Sequence, residues 1–363
     1  MCHLTFLLNN YFLKPKLPFI VFELTRNCNL NCMYCYNHWK VDESKEYQET
    51  TFKQAKKTLK QLFKLVDTEN ISLSGGEPFL LKKLPELILF LRLKKKNVNI
   101  ISNGTIISKD NLQNINHLGI GAIEFPLHSH IAEHHELMTR NQGSWQKSLN
   151  SIEHALKVGI NIVSVIILTK FNYRDIEETI LFHKQIGIKQ IMLNRFNIGG
   201  NGINDLEKLN LNPHELNQTL KKADRLAIKE GVRVTSNVCS PMCLVKPDDF
   251  QHIRFTHCSS DIKKMPITLE LNGDLRICNH SPLVFGNIFQ DEIIDLLANP
   301  EIQPWANKQP EICKGCNLYS TCMGGCRAAA LQFYGDAKRA DPYFELYPNE
   351  QTNSFKKNSL LMD

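Results

Sequence analysis

The stretch Glu23-Leu24-Thr25-Arg26-Asn27-Cys28-Asn29-Leu30-Asn31-Cys32-Met33-Tyr34-Cys35-Tyr36 sets three cysteines at the spacing C-x3-C-x2-C, directly after the apolar run Phe19-Ile20-Val21-Phe22. A short apolar run of this kind reads as a buried strand, which puts the thiols on the loop that leaves it. Thiolates are the usual ligands of iron–sulfur clusters. A [4Fe–4S] cube has four irons, so Cys28, Cys32 and Cys35 leave one iron without a protein ligand. An open coordination position on a metal marks a catalytic site, whereas closed sites are structural. A zinc loop is the alternative that the spacing leaves open.

Outward from this loop, the chain alternates short apolar runs with amphipathic segments. Strands are expected at 20–24, 70–73, 98–102, 122–127, 161–168 and 190–194, with helices at 52–65, 84–93, 110–115, 144–158 and 173–186. Such alternation implies a parallel sheet with right-handed crossovers, an α/β architecture. The polar punctuation falls where strands end: the cysteine loop, Ser74-Gly75-Gly76-Glu77-Pro78, Ser102-Asn103-Gly104-Thr105, His128-Ser129-His130, Thr169-Lys170 and Arg195. Parallel (β/α) barrels carry their chemistry at that end of the strands, so one rim gathers all these groups. In the second of these loops, two glycines let the backbone approach a ligand and the neighbouring carboxylate can receive an ammonium. His128, His130, His134 and His135 read as a polar rim facing the substrate, with a second metal site as the alternative. Residues 195–212, with Gly199-Gly200-Asn201-Gly202, read as a flexible loop and a lid over the substrate. A helix at 214–229 and a strand at 232–235 close this first domain.

Composition sets the outer bounds. The 363 residues suffice for one large domain and a smaller one, and 42% hydrophobic with 22% charged residues is ordinary for a globular protein. No apolar run approaches the roughly 20 residues that span a bilayer. The first residues, Met1 to Leu8, lack a basic n-region and a small-residue cleavage site. The net charge of +6 is spread over helix faces such as Lys94-Lys95-Lys96 and reads as a solvated surface, with a mild preference for acidic substrates as the alternative; no nucleic-acid partner is expected. Twelve cysteines avoid residues 36–238 altogether, which reads as metal binding in a reducing cytoplasm rather than a disulfide framework.

With Tyr34 in the slot before Cys35, the cysteine loop resembles the radical S-adenosylmethionine (SAM) superfamily, whose signature is C-x3-C-x-aromatic-C. The resemblance implies a partial (βα)6 TIM-type barrel with a [4Fe–4S] cluster at its rim and SAM chelating the open iron. One electron then cleaves SAM to methionine and a 5′-deoxyadenosyl radical that abstracts hydrogen from a substrate. It further implies that Gly75, Gly76, Glu77 and Pro78 hold the methionyl amino group and that Ser102 and Asn103 contact the ribose. Arg140 and Leu168 fall where relatives contact the SAM carboxylate and the adenine. Many relatives have Ser-Leu-Asp-Gly where this chain has Pro126-Leu127-His128-Ser129, which puts a serine contact at that point in doubt.

From about residue 236 the composition changes. Cys258-x14-Gly273-x4-Cys278 is followed by Cys313-x2-Cys316-x5-Cys322-x3-Cys326, and residues 267–278 read as a hairpin turning at Asn272-Gly273. This resembles the SPASM extension of radical SAM enzymes, a small cysteine-rich α+β domain with one or two auxiliary [4Fe–4S] clusters; zinc is the alternative for four such cysteines. The resemblance implies that Cys258, Cys278 and Cys326 share one cluster with Cys243 or Cys239, and that Cys313, Cys316 and Cys322 hold the other. Relatives supply a last cysteine after the C-x3-C. Here none follows Cys326, so Asp341, an open iron or loss of that cluster is expected. The expected divisions are an arm at 1–17, the barrel at 18–235, the SPASM domain at 236–345 and a polar tail at 346–363.

The function implied is an anaerobic radical SAM/SPASM enzyme that modifies a ribosomally made peptide or protein, with an external electron donor of flavodoxin or ferredoxin type. No winged-helix leader-binding segment is recognised, so such a module would be a separate chain. Asn279 follows Cys278, where the sulfatase-maturating branch places an aspartate, which argues against formylglycine formation. The alternatives are a decarboxylating or side-chain-removing enzyme of modified-haem synthesis and, in a different class, a non-catalytic metal scaffold.

Overall fold

The computed structural model describes residues 14–41, 49–259, 261–298 and 309–347. Most of the expected arm and tail lies outside these.

Six strand–helix units form in the expected order. They are β1 (Phe19–Thr25) and α1 (Phe52–Leu65), β2 (Asn70–Gly75) and α2 (Leu84–Leu93), β3 (Asn97–Ile101) and α3 (Lys109–His117). There follow β4 (Ala122–Pro126) with α4 (Ala132–Thr139) and α5 (Ser144–Lys157), β5 (Ile162–Leu168) with α6 (Ile176–Gln185), and β6 (Gln190–Arg195) with α7 (Pro213–Glu230). The helix starts are written locally. Thr51 and Gln54 form a capping box on α1, and Asn212 and Glu215 form one on α7, whose first residue is Pro213. The α1 stripe Ala55, Leu59 and Leu62 is buried against the sheet. Each such leucine contributes about 1.5–3 kcal/mol by leaving water.

Strands β1 to β6 are parallel neighbours in sequence order, and β7 (Arg233–Ser236) and β8 (Arg254–Phe255) extend the sheet in parallel beyond β6. The cysteine-rich region is built onto the other edge of the same sheet. Strand β9 (Thr268–Glu270) lies parallel to β1 with Phe22 opposite Leu269 and Glu23 opposite Glu270. Strand β10 (Asp274–Arg276) returns antiparallel, and β11 (Val284–Asn287) follows it. The expected hairpin is therefore also the element that joins the C-terminal region to the barrel.

That junction carries buried charge. Arg276 is fully buried and pairs with Glu23 of β1 at 2.5 Å and with Glu270 of β9 at 2.8 Å. Arg26 closes the network on Glu270. Two carboxylates against two guanidinium groups leave no net charge in the sheet, which is what a buried network requires.

Two sequence expectations are corrected. Residues Gly200–Ile203 form a buried 3-10 turn rather than a lid. Asn201 donates to Asn31 Oδ1 at 2.7 Å and Gly200 N–H donates to Gln332 Oε1 at 2.8 Å, so the segment is wedged between the cysteine loop and the C-terminal region. The four histidines do not together form a rim. His128 lines the cavity at the strand ends, whereas His135 is buried, His130 contacts Thr179, and His134 pairs with Asp175; His134 and His135 lie on α4, a helix absent from the expected elements.

Candidate active site

A cavity of about 550 Å³ opens at the C-terminal ends of the strands, within the usual size of a small-molecule site. Cys28, Cys32 and Cys35 stand on one wall with Gly75, Gly76, Ser102 and Asn103; Cys239, Cys258, Cys278 and Cys326 stand on another. Glu124, His128, Val165, Ile167, Met192 and Asn194 come from the barrel strands and their C-terminal ends. The alternation of β5 explains one placement: Val165 and Ile167 face the cavity, so Leu168 turns its side chain to the buried side of the strand and is not on the wall.

The three thiols of the first loop sense one another. Burial pushes Cys32 up to about 12, with Cys35 and then Cys28 adding to it, and burial pushes Cys35 up to about 11. Thiols so placed are reluctant to ionise together, and a cationic iron core supplies what their protons otherwise do. Tyr34 hydrogen-bonds Cys32, and its ring meets His128 edge-on at 4.6 Å. His128 is held neutral: burial first, then His135 and His183, keep it well below the usual histidine range.

The second strand-end loop is shaped by the first. A Cβ on Gly75 would lie 2.2 Å from Thr25 O, and one on Gly76 would lie 2.0 Å from Asn27 O. The amides of Gly76 and Glu77 donate to those carbonyls at 2.7 and 2.9 Å. The glycines thus let two loops share a backbone contact while still lining the cavity. Glu77 itself is not on the cavity wall. It is fully buried, accepts from Phe79 N–H, Ser102 Oγ and Asn103 N–H at 3.0, 2.8 and 2.8 Å, and clamps the loops after β2 and β3 together. Burial raises it to about 7. Pro78 is buried beside it, opening a 3-10 turn. Asn103 is engaged by Asn29 at 2.9 Å and stands 4.0 Å from Cys28 Sγ. Arg140 is not on the cavity wall; its guanidinium is committed to Asp205.

The C-terminal cysteines fall into two sets. Cys239 is raised by its hydrogen bond with Cys258, by burial and by Cys326; Cys278 is pushed up to about 11 by burial and Cys258. Cys313 is pushed up to about 11 by burial, Cys322 and Cys316. Cys239 thus goes with Cys258, Cys278 and Cys326. Asp341, expected as a stand-in ligand, is fully buried in an ion pair with Arg195 and accepts from Cys326 N–H at 2.8 Å. Arg195 also donates to Cys239 O at 2.6 Å, so this pair fixes the backbone of two members of the cavity set. Among the described residues, no three His, Cys, Asp or Glu side chains close on a single metal-ion position.

The walls are tied together. Asn279 Nδ2 donates to Tyr36 OH at 2.5 Å, and Gln332 Nε2 donates to Tyr36 O at 3.0 Å. His280 Nε2 faces Ile198 O at 3.1 Å, so that nitrogen carries the proton and Nδ1 accepts from Asn197 at 2.9 Å, beside Cys326 Sγ at 3.3 Å. Sequence reasoning passed over Glu124, Glu23 and Arg276. The available signal was a charge inside an otherwise apolar strand, at 20–24, 122–126 and 275–278. Glu124 reaches the cavity wall, and burial alone raises it to about 7.

Residues 22–183 match the radical SAM superfamily, and residues 258–317 match the SPASM iron–sulfur cluster-binding domain. The chain belongs to the radical SAM superfamily and carries a SPASM domain. It is accordingly a SAM-dependent radical enzyme whose cofactors are SAM and [4Fe–4S] clusters. It is 22% identical over 339 residues to the PqqA peptide cyclase of Xanthomonas euvesicatoria pv. vesicatoria, covering 91% of this chain and 88% of that protein. It is 30% identical over 165 residues to the Fe-coproporphyrin III synthase of Methanosarcina barkeri, covering 46% of this chain and 40% of that protein. Its fold is shared with Streptococcus suis SuiB, solved with its precursor peptide SuiA, at a TM-score of 0.68 and 14% identity, over 93% of this chain and 78% of that one.

Proposed function

We propose that the protein modifies a ribosomally made peptide, with the reacting side chain placed in the cavity between Cys28, Cys32 and Cys35 on one wall and Cys239, Cys258, Cys278 and Cys326 on the other. The observation that supports this most is that the two thiol sets share one cavity. Similarity to a peptide cyclase also extends over nine-tenths of the chain. The similarity to the coproporphyrin synthase spans 165 residues, too few to include both sets.

Three thiols on one loop fit a cube with one open corner, and the glycine backbone beside them leaves room for a small cofactor. Cys28, Cys32 and Cys35 would hold the cluster; Gly75, Gly76, Ser102 and Asn103 would wall the SAM compartment. Once reduced by a flavodoxin- or ferredoxin-type donor, the bound cofactors supply a hydrogen-abstracting radical. The apolar wall of Val165, Ile167 and Met192 keeps water from it. Cys239, Cys258, Cys278 and Cys326 would hold an auxiliary cluster that accepts an electron as the substrate is oxidised. No helix among the described residues is long and apolar enough to cross a membrane, which suits a peptide met in the cytoplasm.

The test is reduction of the anaerobically reconstituted protein with SAM. It should release 5′-deoxyadenosine, and Cys32→Ala should abolish the product. Cys316→Ala should keep that product yet stop modification of a candidate precursor peptide, read as the absence of the mass change. No 5′-deoxyadenosine from the wild-type chain sinks the radical mechanism; turnover of a tetrapyrrole but no peptide sinks the substrate class.

A further inference from the structure

We infer that Cys243 is the fourth ligand of the cluster on Cys313, Cys316 and Cys322, so that each auxiliary cluster is closed by four thiols of this chain. The inference rests on reading the C-terminal cysteines as iron–sulfur ligands. It changes what the second cluster can do, because a cube with no open corner does not bind substrate.

The geometry comes from two packed turns. After β7 the chain makes a turn in which Leu244 and Val245 N–H both donate to Pro241 O, at 2.9 and 3.0 Å. This turn lies against the C-x3-C segment. Met242 N–H donates to Cys322 Sγ at 3.3 Å, and a Cβ on Gly325 would come within 2.9 Å of Pro241 Cγ. Residue 243 is therefore delivered beside Cys322. The surroundings of its thiol agree: after burial, the side chains that act most on Cys243 are Cys322, Cys313 and Cys316.

Cys239, four residues earlier, is held the other way. Arg195 fixes its carbonyl, and its thiol faces Cys258 and Cys326. Asn217 Nδ2 anchors the far end of the turn on Leu244 O at 2.7 Å. The two cysteines that sequence could not tell apart are thus divided, one to each set. Asp341, the other candidate, has its carboxylate occupied by Arg195 and by the amides of Cys326 and Tyr343. On ligation the Cys243 S–H bond breaks, its proton leaves to solvent and an S–Fe bond forms, with no change in electron count. Neither Cys243 nor its three partners line the cavity, so the second cluster stands behind the first and carries electrons.

The full chain, reconstituted without oxygen, tests this through iron and sulfide content and EPR. Wild type should hold about twelve irons, four per cube. Cys243→Ala should drop to about eight or give a three-iron signal on mild oxidation, as Cys316→Ala does, while still forming 5′-deoxyadenosine, which shows that the barrel remains folded. Cys243→Ser, which keeps an oxygen ligand, should shift the EPR of one cluster. An unchanged Cys243→Ala beside an altered Cys316→Ala overturns the assignment of Cys243 alone. If both variants keep wild-type iron and spectra, the second field is not a cluster site and the assignment falls with it.

Discussion

Replacing Arg276 by leucine should cost the fold more than any surface change, and by an amount that depends on pH. The guanidinium is fully buried, 2.5 Å from Glu23 and 2.8 Å from Glu270, and it also donates to Ser281 O at 2.6 Å. Leucine leaves Glu23 without its ion-pair partner, facing across β1 and β9 a Glu270 that keeps only Arg26. Breaking a buried pair by removing one partner costs about 3–5 kcal/mol. The lost hydrogen bond to Ser281 adds about 1 kcal/mol. Burial already holds Glu23 above the usual carboxylate range, with Arg276 opposing the shift. Without that opposition the folded-state pKa rises further. A carboxyl whose folded pKa lies above its unfolded value gives stability that is full below the unfolded pKa and is lost as pH rises through the folded one. The deficit of the variant should therefore be smaller at pH 5 than at pH 8. Thermal unfolding followed by tryptophan fluorescence, at fixed scan rate and both pH values, reads this directly. A loss of about 3–5 kcal/mol corresponds to a fall of about 6–20 °C in a domain of 150–250 residues, less in a longer chain. The variant with Glu23→Gln and Arg276→Met together, which keeps Glu270 paired with Arg26, should recover most of the loss, since it leaves no unpaired charge. A single variant within about 1 °C of wild type, or equally impaired at both pH values, would refute the reasoning.

Two further outcomes follow from the site. Glu124 faces the cavity with burial raising it to about 7, so Glu124→Gln should be more stable than wild type at pH 8 and no different at pH 4, by thermal unfolding. Its substrate turnover should lose the rise with pH through about 7 expected of wild type, while 5′-deoxyadenosine formation without substrate persists; a turnover profile identical to wild type contradicts a role for the carboxylate. Gly200 has φ +47°, and a Cβ there would lie 2.4 Å from Cys35 O. Gly200→Ala should cost at least about 1–2 kcal/mol from the left-handed backbone, and it should loosen the cysteine loop. Iron retained by a Cys316→Ala background, measured after gel filtration, should fall; unchanged retention would show that the turn does not support the loop.

The legibility of this chain followed the range of the interactions. The six strand–helix units could be read because their causes are local: β-rich apolar runs, stripes such as Ala55, Leu59 and Leu62, and capping boxes at Thr51 and Asn212. The first cysteine loop was legible for the same reason, since its ligands lie within eight residues of chain. Helix α4 escaped notice because its start has no side-chain cap and its histidines read as polar rim rather than as a buried face.

What sequence determined by itself was the class: the order of strands, the rim on which the chemistry gathers, and three thiols spaced for a cube. Tertiary structure decided which distant groups meet. Glu77 and the loop after β3 are linked by hydrogen bonds across 25 residues, Glu23 and Arg276 form an ion pair across 253, and the turn bearing Cys243 meets the segment bearing Cys322 across about 80. A carboxylate, a guanidinium or a thiol looks the same in sequence whether it faces a ligand or a protein partner. Only the packing of the loops that carry it fixes its neighbours, because charge and coordination act through space and not along the chain.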